Sequence, residues 1–187
     1  MHYLDAIRTY QPKNEQESRD REFFLRFAAA YPDCLLRDND IAHFSASAWV
    51  VNHDRSRVLM VWHNIYKSWS WTGGHADGES DLAAVALREV REETGVENAV
   101  LVSPQLLSLE SITVDGHVKR GEYLHSHLHL NLTYLIEADD REPLRVKPDE
   151  NSGVRWFTPE AALEACTEPW MIEYVYRKLI DAVDTMK

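Results

Sequence analysis

The chain has 187 residues, of which 44% are hydrophobic and 27% are charged, and its formal net charge is −11. This length fits one domain with a short extension and is sufficient to bury a core. The acidic balance argues against a general nucleic-acid binder or a protein of anionic membrane surfaces, because such proteins carry basic patches.

The sequence shows no membrane or secretory pattern. No apolar run approaches the ~20 residues of a membrane span, and the first residues lack the charged-then-apolar layout of a signal peptide. The two cysteines, Cys34 and Cys166, are far apart in the chain. We therefore expect a cytoplasmic protein with two buried thiols and no disulfide.

The first predicted element is a helix over residues 14–32. Asn14 suits its N-cap, acidic residues follow, and Pro32 ends it. Its aromatic residues fall on one side of the helix: Phe23, Phe24, Phe27 and Tyr31. We predict an N-terminal helical extension over residues 1–40 and one domain over residues 41–187.

Apolar and β-branched segments, several with period-two alternation, predict the strands of that domain. They cover residues 44–52, 57–63, 99–103, 107–115, 123–138 and 154–157. Helices are predicted over residues 158–166, where Thr158 and Pro159 suit the helix start, and over residues 168–186. Mixed strands with helices between and after them predict an α/β sandwich.

A glycine pair leads into an acidic helix. Gly73 and Gly74 follow a strand, and glycine lets the main chain approach a ligand closely. The helix is expected to start at Glu79 or Ser80 and to end at Gly95. Its core-facing side consists of Leu82, Ala83, Ala86, Leu87 and Val90.

Glu89, Glu92 and Glu93 fall within an arc of about 100° on this helix. Glu89 and Glu93 are one turn apart, so their carboxylates can reach one point. Like charges at this spacing repel one another, and a bound cation would offset the repulsion. Oxygen ligands favour Mg²⁺, Mn²⁺ or Ca²⁺. An exposed acidic helix face is the alternative that composition alone leaves open.

The stretch from Gly74 to Val96 resembles the Nudix box, the signature of the Nudix hydrolases. That pattern is Gly, five residues, Glu, seven residues, and then Arg-Glu-aliphatic-any-Glu-Glu-any-Gly-aliphatic. Gly74 matches, and REVREETGV at residues 88–96 matches in full. The one departure is Ser80 at the first Glu position, with Glu79 one residue earlier. The resemblance extends over residues 44–165.

The resemblance implies a Nudix-type α/β/α sandwich with a mixed β-sheet, and hydrolysis of a pyrophosphate bond in a nucleoside diphosphate linked to another moiety. It implies that Glu89, Glu92 and Glu93 hold Mg²⁺ or Mn²⁺. Arg88 is then expected to orient these glutamates, or else to be a solvated surface residue. Metal binding should survive the departure at Ser80.

The resemblance leaves the general base open between a box glutamate and a glutamate of a later loop. Glu150 lies in such a loop, ahead of the closing strand. It is a candidate base or additional ligand, with an ordinary loop acid as the alternative. The candidate catalytic residues are thus Glu93, Glu92, Arg88 and Glu150.

Histidines near the box are candidates for phosphate contact. His127 and His129 alternate on one strand face with His125, and His75 follows the glycines. Alternating histidines also suit a transition metal. The sequence shows no cysteine or further histidine cluster that would complete such a site, which favours phosphate contact or partly exposed histidines.

The other expected substrate contacts are the backbone of Gly73 and Gly74, together with Lys67 and Trp69 in the preceding loop. A carbonyl of the glycine loop is also a candidate metal ligand. Trp69 would stack on a base, and core packing is its alternative.

Three other activities are disfavoured. A non-catalytic Nudix-fold domain that binds a nucleotide or effector usually lacks box glutamates, which this chain keeps. An isomerase acting on isopentenyl diphosphate needs a cysteine near its active site, whereas Cys34 and Cys166 flank the core region. Messenger RNA decapping would call for a basic stripe. We expect a small nucleotide-type substrate, no nucleic-acid or membrane partner and, by analogy, a possible homodimer.

Overall fold

A computed structural model describes residues 1–119 and 121–186. The helices are α1 (Tyr3–Thr9), α2 (Glu15–Ala30), α3 (Leu82–Thr94), α4 (Pro159–Ala165), α5 (Pro169–Met171) and α6 (Arg177–Asp184), with a π-helical stretch (Ile172–Tyr176) joining the last two. The strands are β1 (Ala42–Val51), β2 (Val58–His63), β3 (Ser68–Ser70), β4 (Thr72–His75), β5 (Val100–Leu101), β6 (Ser108–Val114), β7 (His117–Lys119), β8 (Glu122–Leu124), β9 (His127–Glu137) and β10 (Asn151–Phe157). Within the described ranges, no helix is both long and apolar enough to cross a membrane.

The described strands form one mixed sheet and a separate hairpin. The sheet runs in the order β10-β2-β1-β9-β5, with β3 beside β2, β4 beside β1 and β6 beside β9. Strands β1 and β9 are parallel, from the Ala42–Leu128 pair to the Val51–Glu137 pair, and the other pairs are antiparallel. The hairpin consists of β7 and β8.

The sheet is buried on both faces, because alternate residues of β1 pack on different helices. Phe44 lies in a core cluster with Leu82 of α3 and Phe24 of α2. Trp49 lies in a second cluster with Tyr176 and other residues of the C-terminal helices. Two helical layers around a mixed sheet confirm the predicted α/β/α sandwich.

The N-terminal helices complete the first cluster. Asn14 caps α2 through its Oδ1, which accepts a hydrogen bond from the N–H three residues on (2.8 Å). Phe24 packs edge-on against Phe44, with ring centroids 5.6 Å apart. Helix α1 was not predicted, and its Tyr3 N–H donates to the Ser80 carbonyl (2.9 Å). The extension therefore contacts the segment that leads into α3.

Three local predictions were wrong. The strand predicted over residues 123–138 is interrupted, because residues 122–126 are exposed and have no buried face to hold them on the sheet. The glycine pair belongs to strand β4, with Gly73 opposite Ser47 of β1. Helix α3 is capped by Asp81 and not by Glu79 or Ser80.

A buried ionic network ties the layers together. The ammonium of Lys178 in α6 lies 3.2 Å from the carboxylate of Glu17 in α2 and 3.0 Å from that of Glu110 in β6. Both carboxylates are fully buried. The Glu110 carboxylate also accepts hydrogen bonds from Asn131 and Thr133 of β9 (3.2 and 3.1 Å). Cys34 and Cys166 are both free and buried, and the predicted burial of the two thiols is confirmed.

Replacing Lys178 should destabilise the fold strongly. Lys178→Met leaves Glu17 and Glu110 buried without their counter-ion, which costs about 3–5 kcal/mol in the free energy of unfolding. Arg177→Met is the matched control, since its ion pair with Glu173 is exposed and such pairs contribute about 0–1 kcal/mol. Urea unfolding measures both, and equal midpoints for the two variants would contradict this role.

Candidate functional site

Helix α3 presents the predicted carboxylates, and its ends and its apolar side fix their direction. The Asp81 Oδ1 accepts a hydrogen bond from the Ala84 N–H (3.3 Å) at the start of the helix. Gly95 ends it in the left-handed conformation, with φ of 76°. Because Leu82 and Val90 are fully buried, the helix cannot rotate about its axis without exposing apolar surface.

Strand β4 passes close to α3 at the two glycines. A Cβ on Gly74 would lie 2.5 Å from the carboxyl carbon of Glu89, and a Cβ on Gly73 would lie 2.6 Å from the Ser47 Oγ. The Gly73 N–H donates to the Glu93 Oε1 (2.8 Å). A side chain at position 73 would meet the β1 backbone, and one at position 74 would displace the Glu89 carboxylate.

Three carboxylates converge beside this contact. Glu89, Glu93 and Glu150 each offer an oxygen, and these oxygens lie within 4.8 Å of one another. Glu150 comes from the loop before β10, and the next residue, Asn151, donates from its Nδ2 to the Glu93 carbonyl (2.9 Å). The loop and the helix are thus joined at the cluster. We call Glu89, Glu93 and Glu150 the carboxylate trio.

The electrostatics of the trio suit a cation. Burial raises the pKa of Glu93 well above its usual range, and the nearby carboxylates of Glu89 and Glu150 raise it further against the opposing hydrogen bond from Gly73. Burial, followed by the charge of Glu92, also raises the pKa of Glu89. When neighbouring carboxylates have raised pKa values, a hard divalent cation that prefers oxygen ligands stabilises their ionised forms. The residues present therefore fit Mg²⁺ or Mn²⁺.

Glu92, the third predicted ligand, lies outside the trio. Its side chain is 44% exposed and pairs with the ammonium of Lys147 (3.0 Å). The same ammonium lies 3.0 Å from the Glu150 carboxylate. Partial burial opposes the protonated form of Lys147, but the bonds to Glu92 and Glu150 outweigh it and raise the pKa of Lys147. This lysine supplies positive charge at the edge of the site.

Arg88 connects the box carboxylates. Its guanidinium lies 2.5 Å from the Glu79 carboxylate and 3.9 and 3.8 Å from those of Glu89 and Glu92. Glu79 stands one residue before Ser80, which occupies the first Glu position of the resembled pattern. Glu79 thus makes an ionic contact inside the site although it is out of register with that pattern.

Two cavities adjoin each other, and the first of them reaches the trio at Glu93. The first is lined by Gly73, Gly74, His75, Glu93, His129 and Asn131, among others. The second is lined by His43, His75, His127 and His129, with residues of the β7–β8 hairpin at its rim. His75 and His129 belong to both cavities. The structure therefore brings the three predicted histidines His75, His127 and His129 to the cavity region.

One expectation about the histidines was wrong. The sequence showed no further histidine cluster, yet one ring nitrogen each of His43, His75 and His129 lies within 4.8 Å of the others. The sheet register explains this, because His43 is opposite His129 in the β1–β9 pair. Polar residues alternate with apolar ones from His43 to Ser47, and this period-two signal could have identified His43 as a residue of the polar face.

Lys67 and Trp69 line neither cavity. Lys67 is exposed in the turn between β2 and β3. The Trp69 ring packs on Phe157 (centroids 4.9 Å apart) and on Trp62 (5.8 Å). The structure does not bring these two predicted substrate contacts to the carboxylate trio.

Comparison with known proteins agrees with this geometry. The family model of the NUDIX domain matches residues 42–179. No curated protein sequence matches the chain.

Solved structures share the fold. A NUDIX-family hydrolase from Clostridium perfringens has 22% identity, covers 78% of this chain and 98% of its own, and gives a TM-score of 0.55. The E. coli dihydroneopterin triphosphate pyrophosphohydrolase has 14% identity, coverage of 74% and 94%, and a TM-score of 0.55. A C. elegans Ap4A hydrolase has 14% identity, coverage of 76% and 96%, and a TM-score of 0.50. Since the family model spans most of the sequence, the chain belongs to the Nudix family of pyrophosphohydrolases.

Proposed function

We propose that this protein uses Mg²⁺ or Mn²⁺ to hydrolyse a pyrophosphate bond in a nucleoside diphosphate linked to another moiety. The convergence of Glu89, Glu93 and Glu150 within 4.8 Å is the observation that carries the proposal. An Ap4A hydrolase and a dihydroneopterin triphosphate pyrophosphohydrolase share the fold, which supports a small nucleotide-type substrate. The expected cytoplasmic location and homodimer are further parts of the proposal.

Each residue of the site has a distinct task in this proposal. Glu89 and Glu93 hold the cation with Glu150, and Glu92 joins them as the resemblance implies. A bound Mg²⁺ or Mn²⁺ polarises the phosphoryl oxygens and lowers the pKa of its water. Arg88, held by Glu79, keeps the glutamates oriented.

The reaction is an attack of water on phosphorus. The water oxygen forms a new bond to phosphorus while the bond from phosphorus to the bridging oxygen breaks, and the second phosphate leaves as an anion. The proton of the water passes to a carboxylate. We assign this role to Glu150 in addition to its part in holding the cation, because its side chain is 43% exposed and can meet water. The neighbouring Lys147 would balance the charge on the departing phosphate.

Glu93→Gln should reduce turnover by several orders of magnitude, because Glu93 is the buried member of the trio. Its amide oxygen can still accept the Gly73 hydrogen bond, so we expect the fold to be retained. A hydrolysis screen with Mg²⁺ and then Mn²⁺ would test dNTPs, oxidised dNTPs, ADP-ribose, NADH, sugar nucleotides and diadenosine polyphosphates.

Glu97→Gln is the matched control, since Glu97 is exposed just beyond the same helix. Turnover that disappears in Glu93→Gln and persists in Glu97→Gln would establish an enzyme and identify its substrate. Equal turnover in both variants would remove Glu93 from the mechanism. If no compound of the panel is hydrolysed and calorimetry detects no Mn²⁺ binding, a non-catalytic domain that binds a nucleotide or effector would be favoured.

The stability of the metal-free protein should fall as pH rises through the raised pKa of Glu93. A carboxyl whose folded pKa exceeds its unfolded value stabilises the fold at low pH and loses that contribution on ionisation. Mg²⁺ binds the ionised form, so the rise in Tm that it causes should grow with pH. Scanning calorimetry from about pH 5 to about pH 8 should show a smaller fall of Tm with pH in Glu93→Gln than in the unchanged protein. A Mg²⁺ effect that is constant over pH in the unchanged protein would contradict the assignment.

Glu79→Gln should lower kcat by up to about 5-fold, the effect of losing one exposed ion pair of at most about 1 kcal/mol. The expected cause is that Arg88 loses its ionic partner. Ser80→Glu alone should leave kcat unchanged, and the double variant should recover part of the lost rate. Steady-state kinetics on the substrate found above would measure this. An unchanged kcat in Glu79→Gln would show that the contact between Glu79 and Arg88 does not contribute to turnover.

A further inference from the structure

Three neighbouring strands place histidines on one face of the sheet. In the register, His43 of β1 is opposite His129 of β9, and Ser45 of β1 is opposite His75 of β4. Residues opposite one another or two apart on a strand project to the same side. The imidazoles of His43, His75 and His129 therefore meet at the polar face of the sheet, which faces the cavities and not α3.

The rings are close enough to share one ion. Their centroids are 5.1 Å apart for His43 and His75, 5.0 Å for His43 and His129, and 4.8 Å for His75 and His129. One nitrogen of each ring lies within 4.8 Å of the other two. Tetrahedral zinc, with Zn–N of about 2.0–2.1 Å, needs nitrogens about 3.4 Å apart. Side-chain movements of about 1 Å would reach that geometry.

His43 has the hydrogen bonding of a metal ligand. Its Nδ1 lies 3.0 Å from the Asn39 carbonyl oxygen, which only an N–H can approach favourably, so the proton of the neutral ring is on Nδ1. The lone pair is then on Nε2, which is buried and has no hydrogen-bond partner among the described residues. The side chain of His43 is 3% exposed. A carbonyl on one ring nitrogen and an ion on the other is the usual arrangement of zinc-binding histidines.

We infer that His43, His75 and His129 bind a transition-metal ion such as Zn²⁺, at a site separate from the carboxylate trio. The two donor sets select different ions, since imidazole favours zinc and related metals whereas carboxylates favour Mg²⁺ and Mn²⁺. Three protein ligands leave one coordination position open, and this position faces the cavities that His75 and His129 line. The His127 ring stacks on His43 (centroids 5.0 Å apart) and forms one wall of the site.

The inference requires neither hydrolysis nor the glutamates, so it can be tested without a substrate. The full-length chain would be stripped with a chelator and titrated with Zn²⁺ by calorimetry. Co²⁺ would replace Zn²⁺ in a parallel titration, because its visible absorption reports a tetrahedral nitrogen site. The variants are His75→Gln and His129→Gln, with His53→Gln as the control for an exposed histidine and Glu93→Gln as the control for the carboxylate trio.

We expect the unchanged protein to bind one Zn²⁺ per chain. The affinity for Zn²⁺ should be at least about 100-fold weaker in His75→Gln and in His129→Gln. Circular dichroism would verify that both variants are folded. Affinity should stay within about twofold of the unchanged protein in His53→Gln and in Glu93→Gln, and excess Mg²⁺ should not displace the ion. Zinc binding that survives both ligand variants, or that is lost in Glu93→Gln, would overturn the inference. The inference would also be overturned if the protein bound no zinc and bound inorganic pyrophosphate through His75, because the histidine cluster would then be an anion site.

Discussion

The close contact between strand β4 and helix α3 is the constraint on which the site depends. Gly74 leaves room for the Glu89 side chain, and the Gly73 N–H holds the Glu93 carboxylate. A side chain at Gly73 would push the strand away from β1, and one at Gly74 would displace the Glu89 side chain. Glu89 and Glu93 are thereby crowded into largely buried positions, where burial and the neighbouring carboxylates raise their pKa values. The folded chain tolerates this crowding because the surrounding apolar packing of α3 fixes the helix in place.

Part of the opposite face of the sheet is polar and buried, next to the apolar cluster that contains Trp49. Ser45 and Ser47 donate to the Asn131 Oδ1, and Asn131 donates in turn to Glu110. This row of polar groups ends at the ionic network of Lys178 on one side and at the histidines on the other. The hydrogen bonds within this row give the cavities a rigid floor.

The sequence predicted the features that local chemistry determines. Helix α3, its C-terminal glycine, the Asn14 cap and most strands follow from periodicity and capping residues, and Glu150 was selected from its place in a loop before the last strand. Features that depend on pairing between distant segments were missed. The register that brings His43 to His129, the strand character of Gly73 and the pairing of Lys147 with Glu92 all require knowledge of which strands and loops are neighbours in space.

The same limit explains why the predicted glutamates and the observed trio differ by one member. On an isolated helix, Glu92 is as good a candidate as Glu89, because both lie one turn or less from Glu93. The tertiary structure separates them, since β4 covers the Glu89 side of α3 while Glu92 lies at the exposed side beside Lys147. Spacing identified the helix and its acidic side chains, and packing determines which of them meet Glu150 in the carboxylate trio.

A crystal structure of the full-length chain grown with Mn²⁺ would test the central claim most directly, because anomalous scattering locates the ion without a known substrate. The account predicts an Mn²⁺ peak with carboxylate oxygens of Glu89, Glu93 and Glu150 at about 2.1–2.2 Å, close to the distances of Mg²⁺ sites. A peak coordinated by Glu92 and remote from Glu93, or no peak near α3 at saturating Mn²⁺, would contradict it.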